Sequence, residues 1–392
     1  MSYTTITSCR ICGNTRLSSI LHLGNQALTG VFPSSTEEVV ETGPVELVKC
    51  ETSAGGCGLV QLRQSYDPSS MYGDNYGYRS GLNQSMVRHL HHRAQTALEI
   101  ARPEAGDLIL DIGSNDSTTL RSYPADRYEL VGMDPTGKKF SKYYPPHVTL
   151  IPDFFSSAEF GRKFPGRKAK IVTSFAMFYD LEVPQAFMRE ICDVLDPEGI
   201  WVFEQSYLPT MLEQLAYDTI CHEHLSYYGV RQIKYMTDRA GLKIVDVELN
   251  DTNGGSFCVT VAKAGSHHQA RTARVESLLA AEERAGLDSQ APYTRFREDV
   301  RRHRDQLCDF VRNETAAGRS VAGYGASTKG NVLLQYCGFT RDDIRAIAEV
   351  NEEKFGRYTP HTLIPILPED AVRRMRPDSM LVLPWHFRAG IV

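Results

Sequence analysis

Between residues 108 and 203 the sequence alternates short apolar runs with longer stretches of helical character, and this alternation constrains the fold most. The apolar runs, which are strand candidates, lie at 108–110, 130–133, 148–151, 171–175 and 200–203. Short buried strands joined by helices form parallel sheets with right-handed crossovers. We therefore predict an α/β domain, with a helix over residues 86–101 before its first strand. Two alternating runs, 243–249 and 256–261, flank an Asn-Gly-Gly turn and predict an antiparallel edge to the sheet.

The composition excludes several classes of protein. The chain has 392 residues and a net charge of -5, which gives no electrostatic argument for nucleic-acid or membrane binding. It contains no apolar run of roughly 20 residues and no amino-terminal signal pattern. The odd total of nine cysteines argues against a disulfide framework. We expect a cytoplasmic, reduced protein, a monomer or homodimer, that binds neither nucleic acid nor membrane.

Four cysteines near the amino terminus have a metal-binding spacing. Two residues separate Cys9 from Cys12, and Cys50 with Cys57 forms a second, wider pair. Thiolates on a tight turn can occupy two corners of a tetrahedral zinc ion, and a second pair completes it. A module this small also needs such a crosslink to fold. We predict a closed structural zinc site; the alternative is two unrelated reduced pairs.

A polar turn follows the first strand of the alternation. Asp111 and Gly113 lead into Ser114-Asn115-Asp116, which brings backbone close to a ligand at the carboxyl edge of the sheet. The next strand ends at Asp134, about twenty residues on, where an acid can accept both hydroxyls of a ribose. A dinucleotide fold would carry Gly-x-Gly-x-x-Gly, so S-adenosylmethionine, which has no phosphate, fits better. The alternative is a generic α/β turn. The predicted cofactor contacts are Asp111, Gly113, Asn115, Asp134, Pro135, Asp153, Phe154 and Tyr76.

A histidine-rich loop follows the last parallel strand. It reads His222-Glu223-His224 and lacks the i, i+4 spacing of metalloprotease histidines. A histidine beside a carboxylate, among aromatic residues that exclude water, is a suitable general base. The alternative is a polar loop whose histidines only form local hydrogen bonds. The predicted catalytic residues are His224, Glu223, His222 and Tyr179.

A glycine-rich turn begins a second strand–helix unit near residue 320. Gly323-Tyr324-Gly325 ends a strand, and Ser327-Thr328-Lys329 begins a helix, where backbone N–H groups and a cation bind anions. The order Gly-Lys-[Ser/Thr] of an ATP-binding loop is absent. We predict a diphosphate site; the alternative is a packing turn. The predicted substrate contacts are Tyr78, Asn253, Gly254, Tyr324, Ala326, Ser327, Lys329, Asn331, Lys354 and Arg357.

Together these motifs resemble the nucleotide-sugar C-methyltransferases, typified by the TDP-sugar C-3-methyltransferases of antibiotic deoxysugar pathways. The resemblance covers essentially the whole chain and rests on the four cysteines, on 111–116, 223–224, 253–255 and 323–331. It implies an amino-terminal zinc-binding module (1–75) and a Rossmann-like S-adenosylmethionine-binding methyltransferase domain (76–265). A helical connection and a second α/β, Rossmann-like domain that binds the sugar nucleotide would follow (266–392).

The resemblance also implies a mechanism. His224 would remove the C-3 proton of a nucleotide-linked 4-keto-6-deoxy sugar, with Glu223 orienting it, and the resulting enolate would take the methyl group. The alternative within this fold is an O- or N-methyltransferase of a sugar nucleotide or natural-product scaffold. The competing classes outside methyl transfer are a sugar-nucleotide epimerase or dehydratase and a non-enzymatic zinc-and-nucleotide binding module.

The sequence departs from the family pattern in three places. Cys221 stands where the family has a tyrosine, and Ser117 replaces a common glycine. Similar proteins continue beyond Val392, which is consistent with a truncated carboxyl terminus. The side chains that remain as candidates for the missing tyrosine hydroxyl are Tyr217, Tyr227, Tyr228 and His222.

Overall fold

The computed structural model describes residues 3–72 and 77–391. The strands are β1 (Tyr3–Thr5), β2 (Leu17–Ala27), β3 (Thr42–Cys50), β4 (Val60–Leu62), β5 (Gln64–Tyr66), β6 (Leu108–Ile112), β7 (Glu129–Met133), β8 (Val148–Ile151), β9 (Ala169–Phe175), β10 (Leu195–Ser206), β11 (Ser226–Tyr227), β12 (Leu242–Asn250), β13 (Ser256–Lys263), β14 (Val321–Tyr324), β15 (Ile347–Glu349), β16 (Ile366–Pro368) and β17 (Ser379–Val382). The α-helices are α1 (Pro68–Met71), α2 (Gln84–Ala101), α3 (Gly137–Phe140), α4 (Ser157–Lys163), α5 (Pro184–Val194), α6 (Leu208–Glu213), α7 (Val230–Arg239), α8 (Thr272–Arg284), α9 (Ala291–Ala316), α10 (Thr328–Cys337), α11 (Glu369–Arg374) and α12 (Arg388–Ile391). Short 3-10 turns lie at Thr52–Ala54, Ser80–Leu82, Leu120–Ser122, Ser141–Tyr143, Phe178–Asp180, Tyr217–Thr219, Thr252–Gly254, Glu352–Lys354 and Trp385–Phe387.

The central sheet has the order β12-β13-β10-β9-β6-β7-β8. Strands β6 to β10 run parallel, whereas β13 is antiparallel to both of its neighbours. All five residues of β6 are buried, as expected for a strand covered on both faces. The predicted α/β fold with an antiparallel edge is therefore confirmed. The carboxyl ends of β6, β7, β9 and β10 consequently meet along one edge of the sheet.

Helix α2 packs on this sheet as its apolar spacing predicts. Met86, Leu90, Ala94 and Ala97 are buried on one face of it. The Asn83 side chain caps its amino terminus by accepting a hydrogen bond from the Ser85 N–H.

A separate four-stranded sheet has the order β11-β4-β3-β2. Three of its strands come from the cysteine-rich module, but β11 comes from the segment directly after His224. Ser226 and Tyr227 of β11 pair antiparallel with Gln61 and Val60 of β4. The histidine loop is thus fastened to the amino-terminal module by backbone hydrogen bonds, which no local sequence pattern predicts.

The carboxyl-terminal unit contains a parallel sheet of order β16-β15-β14-β17. The long helix α9 leads into it, and β14 is followed directly by α10. Strand β17 stops at Val382, and Trp385–Phe387 form a 3-10 turn. Pro384 explains the stop, since proline has no N–H for a sheet hydrogen bond. Within the described ranges, no helix has the length and apolar character needed to cross a membrane.

Candidate active site

The four cysteines of the amino-terminal module converge. The Sγ atoms of Cys9 and Cys57 are 3.5 Å apart, as are those of Cys12 and Cys50, and all four lie within 4.8 Å of one another. Sulfur atoms around a tetrahedral zinc ion with bonds of about 2.3 Å would lie about 3.8 Å apart, so the donor set fits zinc. A Cβ at Gly56 would lie 2.4 Å from the Cys50 sulfur, which explains the glycine in this loop. Four thiolates close the coordination sphere, and the site is structural.

A cavity of about 320 Å³ lies at the carboxyl edge of the central sheet. Its walls come from the turns after β6, β7, β9 and β10 and from α2. Among the predicted site residues, the cavity is lined by Asp111, Gly113, Asn115, Asp134, Pro135, Phe154, Tyr78, Tyr179 and Asn253. Asp153 is not among the lining residues; its Oδ1 accepts a hydrogen bond from the Phe154 N–H instead. Tyr76 lies outside the described residues.

Two buried carboxylates face this cavity. Asp111 Oδ1 accepts a hydrogen bond of 2.6 Å from the Thr173 hydroxyl, and burial, with Asp134 nearby, raises the pKa of Asp111 to about 7. Asp134 Oδ2 accepts from the Asn115 N–H at 2.8 Å, and its Oδ1 accepts from the N–H and hydroxyl of Thr136. Carboxylates buried at a cavity favour a ligand that brings positive charge and hydroxyl donors. S-adenosylmethionine has both.

The segment after residue 76 closes over the turn that follows β6. Asn115 joins the two, because its Oδ1 accepts from the Ser80 N–H at 3.0 Å and its amide nitrogen donates to the Tyr78 carbonyl at 3.2 Å. The Gly81 N–H donates to Asp116 Oδ2 at 3.0 Å. The polar residues of this turn therefore hold one wall of the cavity in place, and Asn115 also lines the cavity.

His224 lies beside the cavity. Its ring centroid is 4.3 Å from that of Tyr179, which lines the cavity. His224 Nδ1 is 2.7 Å from the Thr219 carbonyl oxygen, which can only accept, so Nδ1 carries the proton and Nε2 holds the lone pair. Burial lowers the pKa of His224 to about 4, and the Lys329 ammonium contributes in the same direction. The imidazole is consequently neutral at physiological pH.

The predicted roles of the two neighbouring residues need correction. Glu223 does not orient His224: its Oε2 accepts a hydrogen bond from the Thr29 hydroxyl at 3.3 Å, and the Thr219 carbonyl takes the orienting position. His222 faces the amino-terminal module, where its ring contacts Tyr66 edge-on at 4.6 Å. His222 is fully buried there and lines no part of the cavity. The segment before β11 is a turn, in which the His224 N–H donates to the Cys221 carbonyl at 3.2 Å, so the two histidines do not share one face as they would in an extended strand.

The carboxyl-terminal turn has the geometry of an anion site. The Ser327 hydroxyl caps α10 by accepting from the Gly330 N–H at 3.0 Å, and Gly325 has a φ of 82°. The Lys354 ammonium donates to the Ala326 carbonyl at 2.7 Å, and Glu349 Oε2 accepts from the Ala326 N–H at 2.8 Å. A cation and a capped helix terminus thus lie together, with an acid holding the turn.

The remaining residues predicted to bind substrate divide into two groups. The Lys329 ammonium lies away from this turn and donates to the Asn253 carbonyl at 2.8 Å, which brings it towards His224. Gly254 packs on Trp385, from which a Cβ would be 3.0 Å. The side chains of the second group are engaged in contacts within the protein: Asn331 with the Thr29 carbonyl, Arg357 with the Phe32 carbonyl and Tyr324 with Glu369.

Sequence reasoning did not select several polar residues at the cavity. Asp180 follows β9, and Glu204 and Gln205 end β10, so their position after parallel strands was the available signal. Both amide atoms of Gln205 are buried and have no hydrogen-bond partner among the described residues. Thr219 acts through its backbone, which no residue-type pattern reveals.

Three family models match successive parts of the chain. They are described as "Putative zinc binding domain" (residues 9–72), "Methyltransferase domain" (85–247) and "C-methyltransferase C-terminal domain" (251–392). The chain is also 31% identical to the C-methyltransferase NovU of Streptomyces niveus over 392 residues, which covers 99% of this chain and 91% of NovU.

The chain belongs to the sugar C-methyltransferase family. It is an S-adenosylmethionine-dependent C-methyltransferase with an amino-terminal zinc-binding domain, as the sequence motifs predict. The alternatives of an O- or N-methyltransferase, an epimerase or dehydratase, and a non-enzymatic module are not supported.

Solved structures show partial likeness. A S-adenosylmethionine-dependent methyltransferase from Clostridium acetobutylicum is 12% identical with a TM-score of 0.35, covering 45% of this chain and 92% of that chain. The mitomycin 7-O-methyltransferase MmcR is 12% identical with a TM-score of 0.37, covering 46% of this chain and 55% of that chain. Such scores are too low to carry a structural comparison, and the family assignment rests on sequence.

Proposed function

We propose that this C-methyltransferase acts on a nucleotide-linked 4-keto-6-deoxy sugar, at C-3, with His224 as the base. The observation that carries the proposal is the 2.7 Å contact between His224 Nδ1 and the Thr219 carbonyl. This contact fixes the tautomer in which Nε2 accepts a proton. A carbon nucleophile has to be generated by deprotonation next to a carbonyl, and a neutral imidazole in a water-poor site suits that step.

The residues around the cavity would have two roles, binding of the methyl donor and removal of the proton. Asp111, Asp134 and Asn115 would hold the methyl donor through its amino acid and ribose. When bound, S-adenosylmethionine supplies an electrophilic methyl group beside the acceptor carbon. His224 Nε2 removes the proton from that carbon, and Tyr179, packed against the imidazole, holds the ring in place and excludes water. Binding both substrates at one edge supplies proximity.

The carboxyl-terminal turn supports a nucleotide diphosphate as the carrier of the sugar. The amino terminus of α10 presents backbone N–H groups, and Lys354 adds a positive charge near them. Lys329 bridges this unit to the cavity through Asn253. A sugar attached to a diphosphate bound here would extend along Lys329 towards His224.

A panel assay tests the substrate assignment. The full chain is incubated with S-adenosylmethionine and TDP-, GDP-, CDP- and UDP-linked 4-keto-6-deoxy sugars, and the products are analysed by mass. We expect one nucleotide series to gain the mass of one methylene group. Methylation of none of them, with methyl-donor binding intact, would contradict the substrate class.

The base is tested by His224→Gln, with the exposed His91→Gln on α2 as the matched control. We expect His224→Gln to lose methyl transfer by about 10²-fold or more, in the range typical of a general base. It should also lose exchange of the α proton with deuterated water in the absence of methyl donor. Binding of S-adenosylhomocysteine should persist in both variants. Unchanged proton exchange in His224→Gln would remove His224 from this role.

A further inference from the structure

The resemblance to the nucleotide-sugar C-methyltransferases implies a tyrosine donor for the enolate oxygen at position 221, where this chain has a cysteine. Cys221 is fully buried and is not among the residues that line the cavity. Its thiol is directed towards the Glu223 carboxyl rather than the cavity. Charge develops on the carbonyl oxygen as the α proton leaves, and a positioned donor is needed to stabilise it. The donor has to come from another element.

Asp180 is a polar side chain at the cavity that could supply such a donor. It ends the Phe178–Asp180 turn after β9, at the carboxyl edge of the sheet, and it lines the cavity. It directly follows Tyr179, whose ring packs on His224 at 4.3 Å. Its Oδ1 atom is buried and has no hydrogen-bond partner among the described residues. An unpartnered buried carboxyl atom at a ligand cavity indicates a contact that a ligand completes.

The surroundings of Asp180 favour the protonated form of its carboxyl. The titratable groups that face it are the Tyr72 hydroxyl, the Glu223 carboxyl, the Cys221 thiol and the Tyr227 hydroxyl. None of these four is a cation. Burial raises the pKa of Asp180 well above its ordinary range; the Tyr72 hydroxyl opposes this shift and Glu223 adds to it. A protonated carboxyl is a donor, whereas a carboxylate can only accept.

We propose that Asp180 acts as a neutral carboxylic acid that donates a hydrogen bond to the keto oxygen of the sugar, in place of the absent tyrosine. This proposal rests on the proposed function. As His224 Nε2 takes the α proton, the C–H electron pair forms the carbon–carbon double bond and the carbonyl π pair moves to oxygen, where Asp180 holds the charge. When the α carbon bonds to the methyl group, the methyl–sulfur bond of the donor would break with its electron pair left on sulfur, the carbonyl re-forms and Asp180 keeps its proton. The proton on His224 leaves to solvent.

Two variants and one control test the role in the full chain. Asp180→Ala removes the donor, Asp180→Asn keeps a near-isosteric N–H donor that does not titrate, and Asp193→Asn on the exposed face of α5 is the control. With the sugar nucleotide that the wild type methylates, we expect Asp180→Ala to lose kcat and α-proton exchange by about 10²–10³-fold. S-adenosylhomocysteine affinity should stay within about twofold. Asp180→Asn should retain part of the rate and lose the decline that the wild type shows at alkaline pH.

An infrared measurement tests the protonation state without any substrate. We expect the difference spectrum of wild type minus Asp180→Asn at neutral pH to contain a carboxylic-acid C=O band that the difference spectrum of wild type minus Asp193→Asn lacks. Absence of such a band would overturn the proposal, and so would wild-type kcat in Asp180→Ala. A wild type that exchanges no α proton in any keto-sugar nucleotide would instead contradict the proposed function. The two failures are therefore distinguishable.

Discussion

The central unit and the carboxyl-terminal unit both place an acid at the end of their second strand, where it accepts a hydrogen bond from the turn after the first strand. The Asn115 N–H donates to Asp134 Oδ2, and the Ala326 N–H donates to Glu349 Oε2; each donor–acceptor distance is 2.8 Å. The units differ in the segment that comes after that turn. After β14 the chain enters the ten-residue helix α10, whereas after β6 it continues as an irregular turn that ends in a short 3-10 segment.

The difference between these two segments matches the different ligands that we propose for the two units. A helix amino terminus offers a row of N–H groups and a partial positive charge, which suits a phosphate. The irregular turn after β6 offers instead two buried carboxylates and polar side chains, which suit a ligand that carries positive charge and hydroxyls. Under this proposal one strand–turn arrangement serves two ligand chemistries, and the residues that follow the glycine of each turn determine which ligand fits.

The largest expected effect is on ligand affinity, when Asp134 of the central unit and Glu349 of the carboxyl-terminal unit are replaced one at a time. Asp134→Ala should weaken S-adenosylhomocysteine binding by about 100-fold, since hydrogen bonds to a charged group each contribute about 1.5–3 kcal/mol. Glu349→Ala should leave that affinity within about twofold and weaken nucleoside diphosphate binding about tenfold, because Glu349 also accepts from the N–H groups of Val350 and Asn351. Calorimetric titration with S-adenosylhomocysteine and with TDP, UDP, GDP and CDP measures both.

Each variant serves as the control for its counterpart. If Asp134→Ala weakened both ligands equally, the two turns would belong to one coupled site, and the distinction between the units would fail. Circular dichroism of both variants checks that the sheets remain folded.

The sequence predicted the cofactor edge of the central sheet more fully than the positions of the histidine loop and Lys329. Runs of apolar residues, polar residues directly after them and paired cysteines are local signals, so β6 to β10, the Asp111–Asp134 edge and the cysteine cluster followed from them. The positions of His222, Glu223 and Lys329 did not follow, because they depend on contacts between distant segments. The pairing of β11 with β4, the Thr219 carbonyl and the Asn253 carbonyl each decide one of these positions.

A pH titration of cofactor affinity separates the two units in a second way. Burial raises the pKa of Asp111 to about 7, and the Asp111 carboxylate is the form expected to bind the ammonium group of the ligand's amino acid. S-adenosylhomocysteine affinity should therefore fall by up to about tenfold per pH unit below 7, and Asp111→Asn should bind weakly without this dependence. Nucleoside diphosphate affinity should not follow the same curve. A pH-independent cofactor affinity in the wild type would contradict the assignment of Asp111.

The raised pKa of Asp111 also makes the folding stability fall as the pH rises. The folded protein holds the Asp111 proton more tightly than the unfolded chain, in which the carboxyl has a pKa of about 4. This contribution to stability is fully present below pH 4 and is lost as the pH rises to about 7. Asp111→Asn should accordingly raise the Tm of the ligand-free protein at pH 8 while it weakens cofactor binding. A lower Tm in this variant would show that the carboxylate stabilises the fold.

The smallest effect concerns the backbone of the two turns. Gly325 and Gly113 are the left-handed residues directly after β14 and β6, and the central turn adds a second one, Ser117, with a φ of 66°. Ser117 is buried, and its hydroxyl lacks a hydrogen-bond partner in the described structure. Ser117→Gly should raise the free energy of unfolding by about 1 kcal/mol, because glycine adopts this conformation without the Cβ penalty and no hydroxyl is left buried. Gly325→Ala should lower it, since the new Cβ would lie 2.7 Å from the Pro384 ring. Urea denaturation measures the free energy of unfolding of both variants. A lower free energy of unfolding in Ser117→Gly would show that the contacts of the serine side chain stabilise the fold by more than its backbone strain destabilises it.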